Sequence, residues 1–206
     1  MSAHRIACLG WGSLLWDPRT LPMAEAFSAT GPHLPIEFSR VSTDGRVTLV
    51  IDPDAVPIQT YCVRLEVVDL DQAIQELALR EKIAEARKAE WVGVATRDDP
   101  ARNTGDTLEE VRSTISSWLL DQPLDAVLWT ALPARAPDGR FEKPSPDSLV
   151  AHLESLSGHA RSRAEEYIRR APETVRTRNR KRFEEVFGWS AIDSPDGVPK
   201  RESSDG

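Results

Sequence analysis

Four groups of residues in this chain have types and spacings that could do chemistry. The first is the run Gly10-Trp11-Gly12-Ser13-Leu14-Leu15-Trp16. Glycines two apart let a backbone take positive φ and let a ligand approach closely, and successive N–H groups in such a turn can hold an anion. A tight turn that simply needs glycine has the same composition. A third glycine is missing where Leu15 stands and no G-K-[ST] follows, so neither a dinucleotide fingerprint nor a P-loop is present. The second is Glu81, which continues a stripe of Leu70, Ile74 and Leu77 at spacings of four, three and four. That places a carboxylate in line with the buried face of a helix, where partial burial suits a group that moves protons near neutral pH. A helix that has already ended, or an ion pair with a nearby arginine such as Arg80, is the competing reading. The third is Tyr167, on a stripe with Ala160, Ala164, Ile168 and Ala171. It is a core tyrosine unless a pocket lies beside it. The fourth is the basic run Arg176–Arg182. It reads as a solvated helix face, or as a site for an acidic partner, a nucleic-acid backbone or a substrate carboxylate.

Other reactive types lack partners in the sequence. The four histidines have no metal-ligand spacing, so no metal site is expected. Cys8 and Cys62 lie in apolar strand-like runs and read as reduced core residues. No serine sits in a G-x-S-x-G elbow, which leaves nucleophilic catalysis without support. Of six tryptophans, Trp11 and Trp16 flank the glycine loop and are the two expected at a ligand.

The elements that must position these residues follow from local signals. Arg5–Leu9 reads as a buried strand running into the glycine loop. Pro35–Ser42 and Arg46–Ile51 read as strands joined by the hairpin turn Thr43-Asp44-Gly45. Ile58–Val67 alternates like one long strand. Asp69, with Gln72 three residues on, signals a helix start, and that helix is expected to run to about Lys88. A strand over Trp91–Ala95, a polar loop over Asp98–Gly105, a helix over Thr107–Leu120 and a strand over Ala126–Leu132 follow. Arg135–Pro146 reads as an exposed loop. Ser148–Phe187 reads as helical, with breaks near Ser157-Gly158 and Ala171-Pro172. The layout predicts an α+β fold in one domain over 1–190, a mostly antiparallel sheet or small barrel with helices around it, and a disordered tail over 191–206.

Composition narrows the function classes. No window reaches the ~18 apolar residues of a membrane span, and the N-terminal apolar run is short and broken by glycines, so a cytoplasmic protein without membrane partners is expected. The net charge of −7 weighs against general nucleic-acid binding. The positive charge is concentrated over 161–182, where nine Lys/Arg face three Asp/Glu.

The stretch Ile6–Trp16, followed by Asp17-Pro18-Arg19, resembles the opening of the γ-glutamylcyclotransferase-like family, in which a strand runs into an F-G-Y-G-S-L-type loop. Weaker likenesses to the glutathione-specific branch follow in family order. Glu37–Arg40 sits where that branch carries an Arg-containing strand, and Tyr61–Leu65 resembles its C-x-G-[VI]-A-[YF]-R-L strand. Leu79–Ile83 resembles its R-R-E-M segment, and Ala164–Ile168 its N-x-E-Y-L segment. The resemblance implies a small β-barrel wrapped by helices that releases 5-oxoproline from a γ-glutamyl amine or peptide. Glu81 would be the acid/base, and Gly10, Trp11, Gly12, Ser13, Leu14, Trp16, Arg40 and Tyr167 would bind substrate. No cofactor is implied. Two departures stand out. Trp11 replaces the usual tyrosine, and Val41–Gly45 replaces the basic segment of the glutathione branch, which weighs against glutathione itself. A hydrolase or transferase acting on a related acyl group, and a non-catalytic binder of a metabolite or anion, are the competing readings.

Overall fold

The computed structural model describes residues 4–99, 105 and 107–192, and the fold over these is mixed α+β. Most of the expected 98–105 loop and nearly all of the expected tail lie outside the described residues. Two sheets form the frame. The first has the order β5-β1-β7-β6, from β1 (Ile6–Gly10), β5 (Tyr61–Arg64), β6 (Val92–Thr96) and β7 (Ala126–Thr130). The second has the order β3-β2-β4, from β2 (His33–Val41), β3 (Val47–Ile51) and β4 (Pro57–Gln59). Pairing is antiparallel throughout except between β1 and β7. Among the described residues the strands stay divided between these two sheets, and no closed barrel forms.

The first sheet is buried on both faces, which is why its strands are nearly continuous apolar runs. Period-two alternation sends Ile6, Cys8, Val94, Ala126 and Leu128 into one core cluster. There they meet Leu70, Ala73 and Leu77 of helix α1 (Leu70–Glu81). Ala7, Leu9, Ala95, Val127 and Trp129 point into a second, larger cluster. It also receives Ile115 and Leu119 of α3 (Glu109–Leu120) and Leu34, Ile36 and Phe38 of β2. Helices α4 (Pro146–Ser155), α5 (Gly158–Arg170) and α6 (Arg178–Phe187) close that larger core with Leu149, Ile168 and Phe183.

Several local signals act as expected. Asp69 accepts from the Gln72 amide at 2.8 Å and starts α1. The β2–β3 hairpin closes over Ser42–Arg46, with Gly45 at φ +84°, a conformation that favours glycine. Ser145 and Thr177 cap α4 and α6 through the amides of Ser148 and Arg180.

Three boundaries differ from expectation. The single strand expected over 58–67 is two strands in different sheets, switching at the buried Thr60. Its hydroxyl donates to the Pro32 carbonyl at 2.5 Å, and the Gly31 amide donates to the Thr60 carbonyl at 3.1 Å. Alternation reports which side of a chain is buried, not which neighbour it pairs with, so it runs through the switch unchanged. Helix α1 ends at Glu81 rather than near Lys88, because Lys82 turns left-handed (φ 56°) and its amide returns to the carbonyls of Ala78 and Leu79. A 3-10 turn over Glu85–Arg87 and the short α2 (Lys88–Trp91) follow. The break at Ala171-Pro172 extends as non-helical chain to Thr177. No helix among the described residues is long and apolar enough to cross a membrane.

Candidate functional site

The chain leaves β1 at Gly10 and folds into a 3-10 turn over Ser13–Leu15, with the Leu15 amide bonded to Gly12 O at 3.0 Å and the Asp17 amide to Ser13 O at 2.8 Å. Trp11 and Leu14 anchor the turn by burying their side chains, and Trp11 Nε1 donates to Leu49 O at 3.4 Å. Neither Gly10 nor Gly12 has positive φ, contrary to the expectation from their spacing. Both are bare because other side chains approach closely. A Cβ on Gly10 would lie 2.9 Å from the Phe27 ring, and one on Gly12 would lie 2.6 Å from the Tyr167 hydroxyl.

Beyond the turn opens a cavity of about 600 Å³ lined by Trp11, Gly12, Ser13 and Leu14 on one side and by Glu81 at the end of α1. Arg40 and Tyr167 also line it. Of the residues singled out in the sequence, Gly10 and Trp16 do not. Gly10 packs beneath Phe27, and Trp16 stands against Tyr167 edge-on, with ring centroids 5.5 Å apart.

Glu81 pairs with its neighbour Arg80, Nη1 to Oε1 at 2.5 Å, and keeps 16% of its side chain exposed. Sequence reasoning set the pocket and the ion pair against each other, yet Glu81 has both. Arg80 is itself buried, with 3% side-chain exposure. Its Nη2 donates to Ser13 Oγ at 3.2 Å and to the Asp17 carbonyl at 2.5 Å. One guanidinium therefore joins the N-terminal turn to the Glu81 carboxylate. The sequence signal for Arg80 was its place on the same helical face as Ala73 and Leu77, where an arginine needs a reason to be buried.

Tyr167 is held between Trp16 and Phe38, under the Arg46 guanidinium at 5.3 Å, and its hydroxyl accepts from the Leu49 amide at 3.4 Å. Burial pushes its hydroxyl up to about 12, so it is a neutral donor at physiological pH.

The walls carry far more positive than negative charge. Arg19, Arg40, Arg46, Arg80, Lys82, Arg135 and Arg163 line the cavity with only Asp44 and Glu81 as acids, in a chain whose net charge is −7. Asp44 sits in the β2–β3 turn and pairs with Arg46 and Arg163. Burial opposes its ionisation. Hydrogen bonds from Ser42 and Arg46, with the charges of Arg46 and Arg163, still hold it below the usual carboxylate range.

Protein-family models, curated proteins and solved structures give no match to this chain. Its chemistry is therefore read from its own geometry. The turn supplies N–H groups at Ser13 and Leu14 that have no partner among the described residues. Arginines supply the field, and Glu81 supplies a carboxylate that can reach the cavity. Together these can hold a small acid and move a proton on it.

The basic segment is divided: Arg176, Arg178, Lys181 and Arg182 are exposed, as expected of a solvated helix face, and the others are tied into the fold. Arg161 lies over Phe187 and Trp189, and Arg169 and Arg170 pair with Glu165 and Glu166. Arg180 is buried and donates to the carbonyls of Ala171, Pro172 and Val175, which tethers the end of α5. Of the segment's basic side chains, only Arg163 lines the cavity among the described residues. Both cysteines are free and buried, and burial pushes both thiols up, Cys62 to about 12, so neither is a nucleophile. Among the described residues no cluster of His, Cys, Asp or Glu could hold a metal ion.

Proposed function

We propose that this chain is a γ-glutamylcyclotransferase-type enzyme that releases 5-oxoproline from a γ-glutamyl amine or peptide, with Glu81 as the acid/base. The observation that carries this reading is the shared cavity of Glu81 and the 11–14 turn, with Arg80 bonded to both. The N–H groups of the turn and the surrounding arginines suit the α-carboxylate of a γ-glutamyl group. Glu81 takes a proton from the α-ammonium, and the freed amine attacks the γ-carbonyl carbon. The bond from that carbon to the leaving nitrogen then breaks. The α-nitrogen gives up two protons to become the lactam N–H, and the leaving nitrogen gains two and departs as an ammonium. Glu81 relays them one at a time, so no proton is gained or lost overall. Much of the rate gain comes from holding amine and carbonyl in ring-closing geometry, the rest from the base. The barrel implied by the resemblance belongs to the same proposal, with the two sheets joined at Thr60 as its halves.

The test is 5-oxoproline release from a panel of γ-glutamyl compounds by wild type and Glu81→Gln. The amide cannot relay protons, and kcat is expected to fall by ~10²–10⁴-fold. Equal turnover would remove Glu81 from the mechanism. The excess of arginine in the cavity also favours a second reading, a protein that binds an anionic metabolite without turning it over. Tight binding of γ-glutamyl compounds with no product would select it.

A further inference from the structure

The irregular segment between β7 and α4 supplies Arg135 and Phe141 to the cavity wall. Phe141 is exposed, and its ring stands edge-on to Trp91 with centroids 5.9 Å apart. An exposed ring on irregular chain is placed by whatever holds the backbone on either side of it. Here both sides return to one residue of β2. Ser39 is the extra residue of a β-bulge, since Phe38 pairs with Leu49 and Arg40 with Thr48, and it is wholly buried. Its carbonyl accepts from the Arg135 amide at 3.1 Å, and the Val41 amide donates to Arg135 O at 2.8 Å. Its hydroxyl donates to Asp52 Oδ2 at 2.5 Å, and Asp52 Oδ1 accepts from Lys143 Nζ at 2.7 Å. The chain over 135–143 is thus a strap, buckled to Ser39 directly at one end and through Asp52 at the other. The first half has further ties, because the Arg135 guanidinium donates to Gly139 O and Val41 O, both at 3.3 Å. Past Gly139, Arg140 pairs with Asp138 and Glu142 inside the strap. Among the described residues, Lys143 makes the only hydrogen bonds and ion pairs that join 140–143 to the body of the protein, to Asp52 and, at 2.9 Å, to Asp54. The Asp52 side chain is wholly buried, so without Lys143 its charge would keep only the Ser39 hydroxyl and the Asp54 amide as donors. That makes the tie stronger than an ion pair between two exposed groups, although the ammonium itself is half exposed. Burial alone would lower the Lys143 ammonium, but its bonds to Asp52 and Asp54 and their charges raise it, so the tie stays charged across the physiological range.

We infer that Lys143, which does not itself line the cavity, is a positioning residue for it: its bond to buried Asp52 fastens the 135–143 strap and so holds Phe141 at the edge of the bound ligand. This rests on the cyclisation reading of the cavity. On that reading the reacting atoms lie at Glu81 and the 11–14 turn, so the strap contributes to binding and not to the chemical step.

The experiment compares wild type, Lys143→Gln, Lys143→Arg and Phe141→Ala. Hydrogen exchange followed by mass spectrometry over 138–143 is expected to quicken by ~10–100-fold in Lys143→Gln, with the two sheets and α1 unchanged. Lys143→Arg keeps the charge and is expected to stay near wild type. Exchange that is unmoved, or that quickens throughout the protein, overturns the strap. With a γ-glutamyl compound that wild type converts, Lys143→Gln is expected to raise KM by ~3-fold or more and to leave kcat within ~2-fold, again with rescue by arginine. An unchanged KM, or a fall confined to kcat, overturns the positioning role. The Lys143→Gln, Phe141→Ala double variant is expected to match the worse single variant, because one residue acts through the other. Effects on KM that multiply overturn that link. If no compound yields 5-oxoproline, the cyclisation reading falls by itself, and the exchange comparison alone decides the fastening.

Discussion

Replacing Gly12 by alanine places a methyl carbon 2.6 Å from the Tyr167 hydroxyl oxygen, well inside van der Waals contact. The next neighbours are the Tyr167 ring carbon at 3.6 Å and Leu49 Cβ at 3.9 Å, so the conflict is with a single atom. That atom cannot retreat freely, because the ring is buried and packed edge-on against both Trp16 and Phe38. A shift of about half an ångström also breaks the 3.4 Å bond from the Leu49 amide, at ~1 kcal/mol. Overpacking adds ~1–3 kcal/mol, for a total of ~2–4 kcal/mol. At this chain length that lowers Tm by ~5–15 °C. Urea denaturation at constant m measures the loss directly. The sharper assay is the double-mutant cycle with Tyr167→Phe. Removing the hydroxyl makes room for the methyl group, so the double variant is expected to be ~1–2 kcal/mol more stable than the two single effects add up to. A Gly12→Ala protein within ~0.5 kcal/mol of wild type, or strict additivity in the cycle, would refute the claim that Gly12 is bare to admit the tyrosine.

Two other perturbations test the joints of the site. Arg80→Met strips partners from Glu81, Ser13 and the Asp17 carbonyl together, and is expected to cost about 3 kcal/mol in chemical denaturation. A loss below about 1 kcal/mol would mean that the guanidinium does not tie the turn to the helix. The Tyr167 hydroxyl ionises at about 12 in the fold, against about 10 in an unfolded chain. Its folded pKa is raised, so the associated stability is complete below pH ~10 and drains away as pH climbs toward 12, by about 3 kcal/mol in all. The tyrosinate absorbance of wild type minus Tyr167→Phe, followed against pH, locates the transition, and a midpoint near 10 would contradict the burial argument.

What the sequence made legible was local. The four apolar residues Ile6–Leu9 before Gly10, the Asp69–Gln72 cap and the Thr43-Asp44-Gly45 turn each carry their cause within a few residues, and each forms as expected. The stripe that led to Glu81 was legible for the same reason. The end of its helix was not, because the left-handed cap is a lysine and no glycine marks it. The strand switch at Thr60 was hidden because its cause is Gly31-Pro32, distant in sequence and close only in space. Arg135 was hidden similarly. It reads as part of an exposed loop until β2 is found beside it. The glycines of the N-terminal turn were recognised as special for the wrong reason, since close approach and positive φ leave the same mark in a sequence.

The turn that floors the cavity is moored at both ends, and the moorings belong to different interiors. Trp11 is embedded in the larger cluster and Leu14 in the smaller, with Gly12 and Ser13 slung between them. The amides of the turn are thus a footbridge between two banks, and it hangs true only when both banks are firm. Any loosening of either interior, however far from the cavity, slackens the span and blurs the aim of its amides. The cavity floor inherits the stability of whichever half of the molecule is weaker.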